Sequence, residues 1–255
     1  MKILVKNIFY WMMRPFSQNM RGRATILMYH SVSERNDYFF TVSSKEFALQ
    51  MQYLADKNYV VISLHDLVDR IKKEEPLNGE VVITFDDGYK DNFTDAFQVL
   101  KKHNFPATIF VTTDLIGKND KRGAPMLSPE DLKIMRDSSL ISVEPHTQSH
   151  PKLTQCSHEK MISEIQGSKQ TLEELLEKKC AHFAYPYGNY NKDTSSIVAQ
   201  LGFTAAVTVK EGTVTLLDNI FELPRNSIDQ STTHVQFVGK LSRVTDWYEK
   251  LKLWH

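Results

Sequence analysis

The sequence predicts an α/β fold in which a largely parallel sheet or barrel is wrapped by helices. Three observations carry this reading. Short apolar runs rich in β-branched residues alternate with longer segments whose apolar residues recur at helical spacing. The connections between them are short, as in β/α units. The strand-like runs are apolar throughout rather than alternating, which marks strands covered on both faces.

Taken in order, 24–28 (Ala-Thr-Ile-Leu-Met) is the first buried strand and runs into Tyr29-His30-Ser31-Val32. A polar and aromatic loop covers 33–43. Ser43 or Ser44 then starts a helix to about Asp56, with Phe47, Met51 and Leu54 on one face. Residues 59–62 read as a short strand, and Ser63 caps a helix that turns Leu64, Leu67, Val68 and Ile71 inward. After a polar loop over 74–80, the run Val81-Val82-Ile83-Thr84-Phe85 ends in Asp86-Asp87-Gly88. Asp91 or Asn92 is expected to cap the following helix, which Asn104 ends. Residues 106–112 form another buried strand, and 117–125 a charged loop on the rim. Ser128-Pro129-Glu130 opens a helix with Ser as N-cap and Pro as first helical residue. A strand leads into Glu144-Pro145-His146, and a long amphipathic helix covers 157–178. Residues 181–185 form a strand before Pro186-Tyr187-Gly188. A helix over 191–201, a strand over 203–209, a helix over 231–241 and a helical tail over 247–255 complete the chain.

Composition bounds the function. With 255 residues, 41% hydrophobic and 24% charged, the chain suits one large soluble α/β domain. We divide it into a basic and aromatic segment (1–23), the domain (24–245) and a tail (246–255). Lys+Arg and Asp+Glu are both 31, which speaks against nucleic-acid binding and for a neutral ligand or a local site. Cys156 and Cys180 cannot make a disulfide framework and read as reduced thiols, which fits a reducing compartment. No run approaches the ~20 apolar residues of a membrane span. Neither is there an export signal, so a cytoplasmic location is expected. Residues 1–23 carry Lys2, Lys6, Arg14, Arg21 and Arg23 and no acid, around Phe9, Tyr10 and Trp11. A helix packed on the domain is the preferred reading, and peripheral contact with anionic lipid is the alternative.

The chemistry gathers at strand ends. Asp86 and Asp87 repel each other unless a cation or an Arg stands nearby. His146 and His150 fall on one side if their segment makes a helical turn, which Pro145 and Pro151 would bracket. Two imidazoles and a carboxylate are a common divalent-metal set that leaves positions open for water and substrate. His30, Asp86/Asp87, His146/His150 and 185–188 all end strands of one fold, and β/α folds place their sites at that face.

Three segments together carry a resemblance: Thr84-Phe85-Asp86-Asp87-Gly88, His146-Thr147-x-x-His150-Pro151-x-Leu153, and Tyr185-Pro186-Tyr187-Gly188. In that order they resemble the first three motifs of polysaccharide deacetylases, the NodB-homology domain of carbohydrate esterase family 4, over roughly 24–228. The resemblance implies an irregular (β/α)7-type barrel. It also implies a metal-dependent hydrolase that removes N-acetyl groups from sugars of a surface polysaccharide or its precursor. Asp87, His146 and His150 would hold one divalent cation, zinc by resemblance, although such donors also accept cobalt, nickel, manganese or iron. Asp86 would be the base that takes a proton from the attacking water, and the Tyr187 N–H would join in holding the oxyanion.

For the acid, Met28-Tyr29-His30 matches the branch resembling poly-N-acetylglucosamine deacetylases, where an early Tyr-His segment supplies it, so His30 is favoured over His234. His234 lacks the Leu that precedes the acid elsewhere in the family. The Arg usual before Pro-Tyr-Gly is absent, and Arg225 in Leu223-Pro224-Arg225 is the expected substitute. The Trp of the fourth motif is not identifiable. Glu144 reads as an exposed loop acid, and His65, His103, His158, His182 and His255 as surface or helix residues. The same chemistry would serve an O-acetyl esterase or a deformylase, or a hydrolase of non-carbohydrate amides. A glycan-binding protein without turnover would share the fold. The lack of an export signal favours a precursor handled inside the cell, and nothing in the motifs speaks to oligomeric state.

Overall fold

A computed structural model describes residues 2–13, 19–34 and 38–252. The Lys2 side chain, Arg14 and His255, assigned above to the basic segment and the tail, lie outside the described residues, as do 35–37 of the first loop.

Seven strands occur among the described residues: β1 (Thr25–Tyr29), β2 (Val81–Phe85), β3 (Ala107–Val111), β4 (Ile141–Pro145), β5 (His182–Ala184), β6 (Ala205–Val207) and β7 (Asn226–Ser227). All their ladders are parallel, in the orders β4-β3-β2-β1-β7 and β5-β6. Parallel neighbours need crossovers, and the helices supply them. These are α2 (Ser44–Asp56) and α3 (Leu64–Lys72), α4 (Phe97–His103), α5 (Pro129–Asp137), α6 (His158–Leu176) and α7 (Lys192–Gln200). Helix α1 (Lys2–Met13) precedes the strands, and α8 (His234–Lys240) and α9 (Val244–Lys252) follow them. Side-chain oxygens of Ser43, Ser63, Ser128, Ser157, Asn191 and Thr233 accept first-turn N–H groups, so these starts are legible as N-caps.

Side chains of a strand alternate between faces, and here the alternation separates two apolar clusters. Leu27, Ile83, Phe85, Ile109 and Val143 pack under α2, α4, α5, α6 and α7. Ile26, Val82, Phe110, Ala184, Ala205, Val207 and Leu223 meet in a second cluster, to which α3 adds Leu64, Leu67, Val68 and Ile71. The barrel is irregular because its two seams close differently. Past β6, Leu223 bridges to Val207 and the Arg225 N–H donates to the Lys210 carbonyl, which carries the chain to the edge of β1 as β7. Between β4 and β5 there is no ladder among the described residues, and a side chain replaces it.

That side chain is Glu144, which corrects its reading as an exposed loop acid. It is a buried residue of β4. Its Oε2 accepts the N–H groups of Ala181 (2.9 Å) and His182 (3.0 Å), and its Oε1 accepts the Ser142 hydroxyl. His182 is likewise buried, with Nδ1 3.4 Å from Glu144 Oε1, rather than a surface or helix residue. A second correction concerns 59–62, which form a single parallel bridge, Val61 to Val81, and no strand. From Ile83 onward β3 occupies that edge of β2, so the ladder cannot extend.

Helix α1 packs on α8. Tyr10 is buried against Gly239, where a Cβ would stand 1.9 Å from the Tyr10 ring. Asn7 Oδ1 accepts from Thr233 Oγ1 and Gln236 Nε2. Ile8, Trp11 and Met12 stay exposed. No helix among the described residues is long and apolar enough to cross a membrane.

The seam gives a direct test. Glu144→Leu strips two main-chain N–H groups of their acceptor and should cost about 2–4 kcal/mol, with Glu144→Gln costing less. Urea unfolding at pH 7 measures both, and a Leu variant as stable as the parent would show that the seam does not need the carboxylate.

Candidate active site

Strand β2 delivers two adjacent carboxylates to different places. The Asp86 N–H still donates to the Tyr29 carbonyl, so Asp86 stays in register with the sheet. Asp87 turns out of the strand with φ 74°, and Gly88 follows at φ 85°, where a Cβ would press on Val111 at 3.3 Å.

Asp86 is buried and meets a buried guanidinium. Arg225 Nη1 and Nη2 donate to its Oδ1 and Oδ2 at 2.7 and 2.6 Å. Arg225 is in turn held by the Thr208 carbonyl through Nε, by Thr84 Oγ1, and by the face of Phe110. Burial pushes the Asp86 carboxyl up, but the charge of Arg225 and its paired hydrogen bonds outweigh it and hold the group well below the usual carboxylate range.

Asp87 meets His146 and His150. Its Oδ1 lies 3.7 Å from His146 Nε2 and 3.4 Å from His150 Nε2, and the two Nε2 atoms are 3.2 Å apart. Three donors around one tetrahedral ion with bonds of ~2.0–2.1 Å stand about 3.3 Å from one another. These donors therefore fit a divalent cation as they are. His146 Nδ1 donates to the Ala184 carbonyl at 2.8 Å across the β4–β5 seam, which leaves the Nε2 lone pair for the cluster. Burial pushes His146 down to about 3 and lowers His150, so both rings are neutral at pH 7. Burial pushes Asp87 up to about 6.

The segment 146–150 makes no helical turn, contrary to the i, i+4 reading. Thr147 and His150 have φ of 66° and 58°. Its backbone groups are taken elsewhere. Glu164 of α6 accepts the N–H groups of Gln148 (2.9 Å) and Ser149 (2.8 Å), the Ser149 hydroxyl (2.6 Å) and Lys160 Nζ (2.7 Å). The Thr147 and Gln148 carbonyls accept from Thr113 and Asp114. Gly167 lets Gln148 lie on α6, since a Cβ there would stand 2.6 Å from the Gln148 amide. Burial would raise the Glu164 carboxyl, but Lys160 and Ser149 outweigh it and hold it below its ordinary value.

His30 follows β1. Its carbonyl accepts Asn92 Nδ2 at 2.7 Å, and its ring lies 5.0 Å from that of Phe40. Neither Asp91 nor Asn92 caps a helix. The Asp91 carboxylate instead binds Ser31 Oγ and the Val32 N–H, and a π-helical stretch, Asn92–Ala96, precedes α4. Tyr187 has φ 58° and its ring stands 4.5 Å from that of His150. His234 sits apart, exposed on the first turn of α8 with its ring against Tyr53.

Sequence reasoning missed Glu164. It lies on the inward stripe of α6 with Met161, Ile165, Ser168 and Leu172. A carboxylate on a buried helix face beside a mid-helix glycine is the signal that points to it.

Comparison with known proteins follows from this geometry. A family model described as polysaccharide deacetylase matches residues 73–206. YxkH of Bacillus subtilis (strain 168) is 33% identical over 205 residues, 80% of this chain and 71% of that one. A poly-beta-1,6-N-acetyl-D-glucosamine N-deacetylase of Staphylococcus aureus (strain MSSA476) is 28% identical over 224 residues, covering 79% and 77%. Among solved structures, the Streptococcus pyogenes deacetylase PplD in complex with acetate matches with a TM-score of 0.77 at 28% identity, over 86% of this chain and 98% of that one.

Glu164→Ala should cost about 1–3 kcal/mol in urea unfolding at pH 7, because three part-buried donors lose their acceptor. It should also weaken cation binding measured by titration calorimetry. The carboxyl's folded value is lowered, so its stabilisation is complete above an unfolded value of about 4.3. That stabilisation is lost as the pH falls below this value. An unchanged affinity in the variant would show that the loop holds its shape without Glu164.

Proposed function

Because the chain belongs to the polysaccharide deacetylase family of NodB-homology hydrolases, we propose that it removes N-acetyl groups from an N-acetylated glycan or its precursor. Asp87, His146 and His150 would hold one divalent cation, zinc foremost. The single observation that carries this reading is the juxtaposition of three cation donors at bonding separations with an Arg-paired carboxylate on the same strand end. The likeness to a poly-beta-1,6-N-acetyl-D-glucosamine N-deacetylase supports an N-acetylhexosamine as the sugar.

A cation at this site would supply Lewis acidity to the acetyl carbonyl and lower the pKa of water. The rest is done by the chain. Asp86 takes the proton of the attacking water at a carboxylate oxygen. Arg225 keeps that carboxylate ionised and fixed in direction at neutral pH. The Tyr187 N–H donates to the acetyl oxygen as it gains charge. His30 carries the proton that passes to the leaving amine. Its reach is bounded by Phe40 against the ring and by Asn92 on the carbonyl.

Elemental analysis should find one divalent metal per chain and none in Asp87→Asn. His30→Ala should keep the metal and lose about 10²–10⁴ in kcat. A metal-free wild type after reconstitution would sink the hydrolase reading, and near-normal turnover of the His30 variant would move the acid elsewhere.

Arg225→Ala leaves a buried carboxylate without its partner and should destabilise the fold by about 3–5 kcal/mol. Arg225→Lys keeps the charge without the fork and should fall between the two in both stability and kcat. If Arg225→Ala keeps its kcat, the guanidinium has no part in holding the base.

A further inference from the structure

Helix α1 is packed by one side only. Asn7 and Tyr10 meet α8, and the rings of Phe9 and Tyr10 lie 5.6 and 5.7 Å from that of Tyr248 in α9. Facing away from Tyr10, Ile8, Trp11 and Met12 are 50, 68 and 57% exposed. Their i, i+3, i+4 spacing makes them one apolar stripe. Leu251 of α9 is exposed as well. Between the two helices opens a shallow groove of about 300 Å³, lined by Phe9, Met13, Trp247, Lys250 and Leu251. A stripe and a groove of this kind, side by side on one surface, mark an interaction site.

The charge of this surface says what kind of partner fits. Residues 1–23 hold Lys2, Lys6, Arg14, Arg21 and Arg23 and no acid. Helix α1 itself carries only Lys2 and Lys6, and in α9 Lys250 and Lys252 match Asp246 and Glu249. Asp246 is also paired with Arg23 at 3.0 Å. The surface is therefore net positive. No acid lines the groove; Lys250 stands in its wall, and Arg243 lies over the Trp247 ring at 5.7 Å. Apolar side chains that include tryptophan, set among cations, suit the boundary of an anionic bilayer, where indole rings settle at the headgroup level. A second copy of the chain would instead set like charges against each other. No described helix can span a bilayer, so contact of this kind is peripheral.

We propose that the α1–α9 surface docks this protein on a lipid bilayer that contains anionic headgroups. The Arg23–Asp246 pair places the start of α9 where the chain enters β1, at the end of the sheet away from the cation donors. The proposal stands apart from the deacetylase reading and fails or holds without it.

Sedimentation of the full chain with vesicles tests it. The vesicles are phosphatidylcholine alone, or phosphatidylcholine with about 30% phosphatidylglycerol. The chain should pellet with the anionic vesicles, stay in the supernatant with the neutral ones, and be released at ~0.5 M salt. The double change Trp11→Ser, Met12→Ser should weaken the partition at least about tenfold, because it removes the exposed apolar stripe. Lys250→Glu, which touches no packed side, should weaken it about threefold or more. Thermal melting identifies a variant that has lost its fold, and the other variant then decides. Absence of wild-type binding to anionic vesicles overturns the proposal, as does binding that survives in the folded variants. If light scattering of a non-binding wild type shows a dimer that the double variant converts to monomer, a second copy covers this face instead of lipid.

Discussion

The pairing of Asp86 with Arg225 is the constraint around which the rest is arranged. Both groups are buried, and taking two charges out of water costs several kcal/mol each unless geometry repays it. The fork geometry, the Thr208 carbonyl, Thr84 and the face of Phe110 together supply that repayment. The pair also has an architectural effect. Asp86 directly follows β2, and Arg225 sits in the segment that carries the chain from β6 to β7. Their bond therefore ties the middle of the five-stranded sheet to the segment that closes the barrel. With Asp86 committed inward, Asp87 takes the opposite course, and its positive φ is the backbone expression of that division of labour.

Much of this is legible without coordinates because the chemistry demands particular residue types at strand ends. Ser63 and Ser128 mark helix starts through local hydrogen bonds, and local bonds leave local patterns. Asp86, Asp87, His146 and His150 stand out because acids and imidazoles rarely follow buried strands without a task. What is not legible is whatever depends on an edge or a partner distant in the chain. Residues 59–62 look like a strand, and only the position of β3 denies them a free edge. His146 and His150 have helical spacing, and only Glu164 and the turn at Thr113 show that the backbone takes another path. Glu144 and His182 look like surface residues because polarity in a strand ordinarily means solvent, whereas here it faces a seam.

Two carboxylates do comparable work at different levels. Glu144 substitutes for a missing ladder, and Glu164 substitutes for the hydrogen bonds that a helical turn would have made at the His segment. Each lets the backbone depart from regular structure without leaving buried N–H groups unpaired. Those departures are what bring two imidazoles on one loop to the donor spacing of a single ion. Arg225 extends the pattern to the third motif, where a residue 38 positions beyond Tyr187 reaches the carboxylate of the second strand.

The seam between β4 and β5 has a further bearing on how the molecule breathes. Besides the Glu144 bonds, the hydrogen bond from His146 to Ala184 crosses that line. A fluctuation that parts the two strands therefore also releases the ring and lets its tautomer change. Only the clamped ring presents its Nε2 lone pair to an ion, so an ion that binds there selects the closed barrel and suppresses the opening. Were a cation held there, its occupancy and the slowest amide exchange along β5 would be two readings of one equilibrium, and a chelator would act on this protein as a mild, local denaturant.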